Sequence, residues 1–368
     1  MKIKSITIRN FKRFVDNLHI DFVHQTLGQV SDRFLVLGDN GAGKTTILQA
    51  IALPLALATR QARSIFEFDW IGFLPGRYRK WGVPQIELEV WFSDEENALT
   101  RELALEWKKL QPANSDRSFT VPGQSRQVKL TLDGEQIHTE KYDEQFQFMG
   151  RFYAAQLRNR GVNVMQHFAN LPGAFWFPQT RTVGDSGMSS KQTAFDSENG
   201  NLHSGQMSFD TGVGKLREYL NGWMLERQSR NYPIDYISEL EKLFQRVFPN
   251  RSFAGVEMMP GVDAPLSKDY FFLLNDGKRT YDLAEMSAGE QSIFPILYEF
   301  VRRRIAHSVV LIDEVDLNLH PTAARDVVVS LPKLAPDCQF ILTTHSETVT
   351  SVVGNDEIYR LAGGSLCL

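Results

Sequence analysis

Between residues 85 and 92 the apolar positions alternate. Ile86, Leu88, Val90 and Phe92 fall on one side, with Glu87 and Glu89 on the other. A period of two predicts a strand with one wet face. Val128, Leu130 and Leu132 repeat the pattern and run into an Asp133–Gly134 turn, a strong hairpin signal. Ile6 and Ile8 alternate with polar neighbours, and LHIDF follows after a turn, so the chain opens with strands too. Residues 98–111 and 144–170 predict helices. Residues 180–212 hold few apolar side chains and many Gly, Ser and Asn, which predicts a mobile loop. A helical pair follows. In its second member Ile237, Leu240, Leu243, Phe244, Val247 and Phe248 share one face, and Pro249–Asn250 stops it. Two strands then lie around Asn275–Asp276–Gly277.

Other runs are short and wholly apolar. RFLVL (33–37) leads through a glycine-rich turn into ILQAIALPLALA, giving strand, loop and helix. VVLIDE (309–314) leads to a helix, then to FILTTHS (340–346), then to a short strand near 356–361. Buried strands separated by helices predict a parallel sheet. The expected fold is α/β, with an antiparallel β subdomain, a parallel-sheet core and a helical lobe. The expected segments are 1–178, 179–305 and 306–368, which form one composite domain. No internal repeat and no coiled-coil heptad is visible.

Composition narrows the class. The 368 residues are 42% hydrophobic and 23% charged, with a formal net charge of −4. That balance is ordinary for a globular chain, and global charge offers no nucleic-acid signal. The two cysteines, Cys338 and Cys367, match neither a disulfide framework nor a zinc spacing, so a reducing cytoplasm is expected. The first residues alternate and carry charge, unlike a signal peptide. No apolar run approaches the roughly 18 residues of a membrane span.

Residues 38–45, GDNGAGKT, match G-x-x-x-x-G-K-[ST] in the required setting of strand before and helix after. Gly38, Gly41 and Gly43 let backbone N–H groups of this turn, with Asn40, curl round phosphate oxygens. The helix that follows, with Thr46 in its first turn, adds its positive end. Lys44 would reach the outer phosphates, and Thr45 would put its hydroxyl on Mg²⁺. In VVLIDE, Asp313 and Glu314 sit at the C-terminal end of a buried strand, where ligands of open α/β sheets bind. Asp313 would support Mg²⁺ and Glu314 would accept a proton from water. Strands ending in acids are common, and only the phosphate loop gives this pair its meaning. His345 ends the next strand; a lone histidine is more often structural, but the parallel reading sets it on the same sheet edge. EMSAGEQS (285–292) looks like a helix start with almost no bulk at its tip. Ser287 and Glu290 form the spacing of a capping box.

The order GDNGAGKT, MSAGEQS, VVLIDE, FILTTHS resembles the ABC-type ATPases, and within them the SMC-like and RecF-like heads. MSAGEQS is similar to that family's signature motif, residues 315–321 (VDLNLHP) to its D-loop, His345 to its switch histidine, and MKIKSITIRNFKRF to its first strands. The resemblance is good up to about residue 50 and over 280–350, and poor in the middle. It implies ATP and Mg²⁺ as cofactors and a homodimer or higher homo-oligomer joined through ATP. Ser287, Gly289 and Glu290 of one subunit would cap the nucleotide of another. It also implies a glutamine that senses Mg²⁺. Gln179 is the candidate, with an ordinary loop residue as the alternative.

Two departures bear on role. No coiled coil separates the lobes, and no nuclease pattern follows His345. The chain therefore resembles compact ATPases of bacterial anti-phage defence that work with a separate nuclease. The alternative is a RecF-like repair ATPase that binds duplex DNA. RYRKW (77–81) and Arg302–Arg304 are the basic clusters that could touch nucleic acid; a solvated face is the commoner explanation of each.

Overall fold

The computed structural model describes residues 1–25, 27–68, 70, 72–111, 119–179, 213–227, 234–263, 265–335 and 337–361. The loop expected at 180–212, Arg181 and Cys367 therefore lie outside the described residues. In chain order come β1 (Lys2–Arg9), β2 (Leu18–Asp21), β3 (Arg33–Leu37), α1 (Lys44–Ala58), β4 (Gln85–Trp91), α2 (Asp94–Lys109), β5 (Gln127–Asp133) and β6 (Gln136–Thr139). Then follow α3 (Gly150–Arg158), β7 (Gly173–Phe177), α4 (Val213–Arg227), α5 (Tyr236–Val247), β8 (Ser252–Met258), β9 (Tyr270–Asn275), β10 (Thr280–Asp282) and α6 (Ala288–Arg303). The last elements are β11 (Ser308–Ile312), α7 (Pro321–Leu334), β12 (Gln339–Thr344), α8 (Glu347–Thr350) and β13 (Ile358–Arg360).

The alternating segments pair as antiparallel neighbours in the order β2-β1-β4-β5-β6. Ile86, Leu88, Val90, Val128, Leu130 and Leu132 all turn inward. The wholly apolar runs form a parallel sheet, β13-β3-β12-β11-β7. Both of its faces are covered. Phe34, Val36, Ala174, Trp176, Val309, Leu311 and Ile341 pack with α1 and the antiparallel sheet. Leu35, Phe175, Phe177, Val310, Ile312, Phe340 and Leu342 pack with α5, α6 and α7. The period of two persists in these strands, but both halves of it are apolar. α1 lies between the two sheets and buries nearly its whole length. A third, small sheet, β10-β9-β8, adjoins α4, α5 and α6.

The second expected strand–turn pair is present: β9 ends at Asn275, β10 begins at Thr280, and Gly277 takes φ 85 between them. Two helix expectations need correction. The helix expected at 98–111 starts earlier, at Asp94, because Ser93 and Glu96 form a capping box. The helix expected over 144–170 is broken into a 3-10 stretch (Tyr142–Met149), α3 and a second 3-10 stretch (Met165–Asn170). Gly161, at φ 83, ends α3, a left-handed stop that glycine takes without strain. At Gly150 a Cβ would come within 2.6 Å of Thr100 Oγ1, so the chain there passes too close for a side chain. β7, an apolar run that the strand pattern above did not include, is the edge strand beside β11.

Candidate functional site

The parallel register brings the ends of β3, β11 and β12 together, and with them GDNGAGKT, VVLIDE and FILTTHS. The turn after β3 holds Gly41 at φ 76 and Gly43 at φ 105. A side chain at Gly43 would be strained by that φ and would also strike Arg13 and Phe14. Gly43 is the N-cap of α1, and no side chain caps the helix. Its first N–H groups are left to face whatever sits in the turn. Gly38 and Lys44 are largely enclosed, whereas Asp39, Asn40 and Gly41 are exposed at the mouth of the turn. Thr46 is buried one position further along the helix than Thr45. The Arg13 guanidinium donates to the Gly41 carbonyl from the neighbouring β1–β2 loop.

Lys44 is 4% exposed. Its ammonium donates to the carbonyls of Gly38 (2.8 Å) and Asp39 (3.2 Å), and lies 3.1 Å from Glu314 Oε1. Thr45 Oγ1 donates to Asp313 Oδ2 at 2.7 Å. Asp313 Oδ1 accepts from Thr343 Oγ1 at 2.6 Å, and the same Thr343 oxygen accepts from the Glu314 N–H at 2.7 Å. Glu314 stands at φ 46, an uncommon backbone state for a glutamate. Its Oε2 lies 2.9 Å from His345 Nδ1. An unbroken polar chain thus runs from the phosphate-loop lysine through Glu314 to His345, with Asp313 beside it.

The hydroxyl of Thr45 and the carboxylate of Asp313 form a hard, all-oxygen pair suited to Mg²⁺. Gln179 is exposed just past the end of β7. The Asp313 N–H donates to the Phe177 carbonyl at 2.9 Å, so Gln179 follows the strand next to the acids.

The tip of α6 is built as the capping-box spacing predicts. The Ser287 N–H and hydroxyl donate to Glu290 Oε2 at 2.8 and 2.7 Å, and the Glu290 N–H donates back to Ser287 Oγ at 3.4 Å. Glu290 is turned inward rather than toward a ligand, at 3% exposure. Its Oε1 accepts from Arg251 Nε (2.6 Å) and from the Tyr281 hydroxyl (3.0 Å). Burial alone would push its carboxyl up, but Arg251, Ser287 and Tyr281 together hold it below the usual glutamate value. Burial, followed by the Glu290 charge, raises the Tyr281 hydroxyl to about 12. A Cβ at Gly289 would lie 3.2 Å from Leu319 Cδ2, so segment 315–321 packs against the helix tip within the same chain.

The two basic clusters part company. Arg302 and Arg303 pair with the buried Glu299, and Arg304 lies 3.9 Å from Glu239. They serve the end of α6 and do not form an open patch. Arg151 donates to the carbonyls of Arg303 (3.0 Å) and Arg304 (2.9 Å) at that same end. Arg77, Arg79, Lys80 and Trp81 are exposed. Thr343, Arg251 and Tyr281 are residues that sequence reasoning missed, and Asp316 was placed in the 315–321 segment without a role of its own. Thr343 stood inside FILTTHS, and its place on the strand was the only available signal.

The fold is that of an SMC-head-like P-loop protein, and the phosphate loop, the acid-ending strand and His345 meet at one sheet edge. Residues 5–68 match the family model "AAA domain", and residues 189–351 match "AAA domain, putative AbiEii toxin, Type IV TA system". The particular relatives are a Septu protein and retron ATPases. The chain is 24% identical over 353 residues to Septu protein PtuA of Bacillus mycoides (strain KBAB4), covering 94% of this chain and 38% of PtuA. It is 32% identical over 91 residues to "Retron Ec83 probable ATPase" of Escherichia coli, covering 22% of this chain and 17% of that protein. The chain thus spans well under half the length of either relative. Among solved structures it is similar to the Smc head bound to the C-winged helix domain of ScpA. That match has TM-score 0.51, 14% identity and 98% coverage of both chains, and it speaks to the fold. Among the described residues no helix is long and apolar enough to cross a membrane.

Proposed function

We propose that the chain binds and hydrolyses ATP with Mg²⁺ at a site completed by a second copy. It would serve as the nucleotide-gated part of an anti-phage complex with a separate effector, a nuclease by the resemblance. The observation that carries the ATPase reading is the polar chain Lys44–Glu314–His345 beside the Thr45–Asp313 pair. In the proposed cycle the uncapped start of α1 and the glycine turn receive the phosphates. Lys44 turns its donors from Glu314 and the turn carbonyls to the phosphate oxygens. Glu314, released from Lys44, accepts a proton from the attacking water, and His345 steadies the outgoing phosphate. Thr45 and Asp313 would hold Mg²⁺, which offsets phosphate charge. Gln179 is the proposed sensor of that ion and of water.

The second copy would offer the α6 tip, with Ser287 and Gly289 next to the nucleotide. Glu290 would act by shaping that tip. The partial length match to PtuA and the retron ATPase supports the defence role. The exposed RYRKW segment supports the second reading, duplex binding by a RecF-like repair ATPase.

Light scattering of the purified chain with and without ATP-Mg²⁺ tests the proposal. ATP should raise the mass. Glu314→Gln should trap the larger species, with turnover down about 100-fold or more. Ser287→Arg should abolish it, and Lys44→Ala should lose nucleotide binding. A mass indifferent to nucleotide, with Ser287→Arg fully active, would sink the composite site. Duplex binding without any partner, lost in Arg79→Glu/Lys80→Glu, would favour repair.

A further inference from the structure

Asp316 carries a feature that the ATPase reading does not use. Its side chain is 8% exposed, and its Oδ1 is buried without a hydrogen-bond partner. A buried carboxylate oxygen left unpaired costs free energy unless something offsets its charge. The groups around it are ligands. Its Oδ2 lies 4.0 Å from His345 Nδ1, and that nitrogen lies 2.9 Å from Glu314 Oε2. One ligand atom from each of Glu314, Asp316 and His345 falls within 4.8 Å of the others.

We propose that Glu314, Asp316 and His345 form a binding site for one divalent transition-metal ion, separate from the Thr45–Asp313 pair. Two ligands about 2.1 Å from one ion at a tetrahedral angle are about 3.4 Å apart. The observed 2.9 and 4.0 Å bracket that separation, so small side-chain shifts close the set. The donor chemistry selects the ion. One imidazole nitrogen and two carboxylate oxygens suit Zn²⁺ or Mn²⁺ better than Mg²⁺, which prefers oxygen alone. The His345 side chain is 53% exposed and gives the ion a way in from solvent, with water as the remaining ligand.

Charge points the same way. Three carboxylates, Asp313, Glu314 and Asp316, end this strand, and Lys44 is the ammonium in contact with them, through Glu314. A bound metal would tie Glu314 and His345 to each other and to the buried Asp316. Those two side chains would then be withheld from any other work, so occupancy is inhibitory. Metal binding as such needs neither nucleotide nor turnover, and it stands or falls apart from the ATPase reading.

The test is calorimetric titration of the untagged, nucleotide-free chain with ZnCl₂. We expect one Zn²⁺ per chain, bound at least about tenfold more weakly by both Asp316→Asn and His345→Gln. Thr45→Ala, which disturbs the other pair, should bind as wild type does. His345 is half exposed, so its replacement leaves the fold intact even if Asp316→Asn does not fold. Absence of stoichiometric binding overturns the proposal. So does undiminished binding by His345→Gln, or by a folded Asp316→Asn, since the zinc would then sit elsewhere.

Discussion

Thr343 shows how much a single hydroxyl can organise. Its O–H donates to Asp313 Oδ1 while its oxygen accepts from the Glu314 N–H. It therefore sets the rotamer of one acid and the backbone of the next. Both partners are buried, so removing the hydroxyl leaves a carboxylate oxygen and an amide short of a bond. Thr343→Val, nearly the same shape, should cost about 1–3 kcal/mol in urea unfolding and should lower turnover as Asp313 loosens. Thr343→Ser should restore both. Stability equal to wild type in the valine variant would show that the hydroxyl does not organise the acids. At this scale Gly43 is also decisive. Gly43→Ala forces a Cβ into φ 105 at the start of α1, and should lose about 1 kcal/mol or more by thermal unfolding, together with nucleotide affinity.

At the scale of elements, the tip of α6 is held from three directions. Ser287 caps it, Arg251 reaches it from the connection before β8, and Tyr281 reaches it from β10. The Glu290 carboxyl lies below its unfolded value, so its charge stabilises the fold at neutral pH. That stabilisation is present above the unfolded glutamate value and is lost as pH falls through the folded one. Glu290→Gln should therefore melt below wild type at pH 7, and the gap should close as pH drops below about 4. A gap that stays constant with pH would mean that shape, not charge, is what Glu290 supplies. The capping box was legible because Ser287 and Glu290 are neighbours on one helix turn. Arg251 was not, since nothing in its local pattern says that its chain folds back beside residue 290. The alternating strands, the phosphate loop and the acid-ending strand were legible for the same reason of locality. The broken region 142–170 was not, because Gly150 is explained by Thr100, which lies across a helix contact. Arg302–Arg304 read as an open basic patch only while Glu299 and Glu239 stayed out of view.

For the whole molecule, the governing fact is that one sheet collects strands from widely spaced parts of the chain. Thr45 and Asp313 touch although they are 268 residues apart. The long middle adds β4, β5 and β6 to the antiparallel sheet on one side, and the helices and small sheet on the other. The two large cores lie on opposite faces of the parallel sheet. A ligand that pulls the Lys44–Glu314 contact apart acts on the seam between them. The α6 tip and the 315–321 segment lie on the same chain and touch, so any second copy docked there would sense both together.

That seam has a consequence for synthesis on the ribosome. β3 emerges early, yet the strand on its inner side, β12, is made long after it. Until then RFLVL has an open edge and can be covered only on the face that α1 and the antiparallel sheet share, and the glycine turn after it has no neighbouring strand to bring the acids to it. The protein cannot test its own nucleotide site until Asp313, Glu314 and the strands beside β3 have been made. Local hairpins such as β5–β6 can close at once, but the parallel sheet must wait, which makes the late, long-range step the slow and aggregation-exposed one. A nucleotide that binds only the assembled site would then pull this last closure forward, so the ligand would be rewarded first as a folding partner and only afterwards as a substrate.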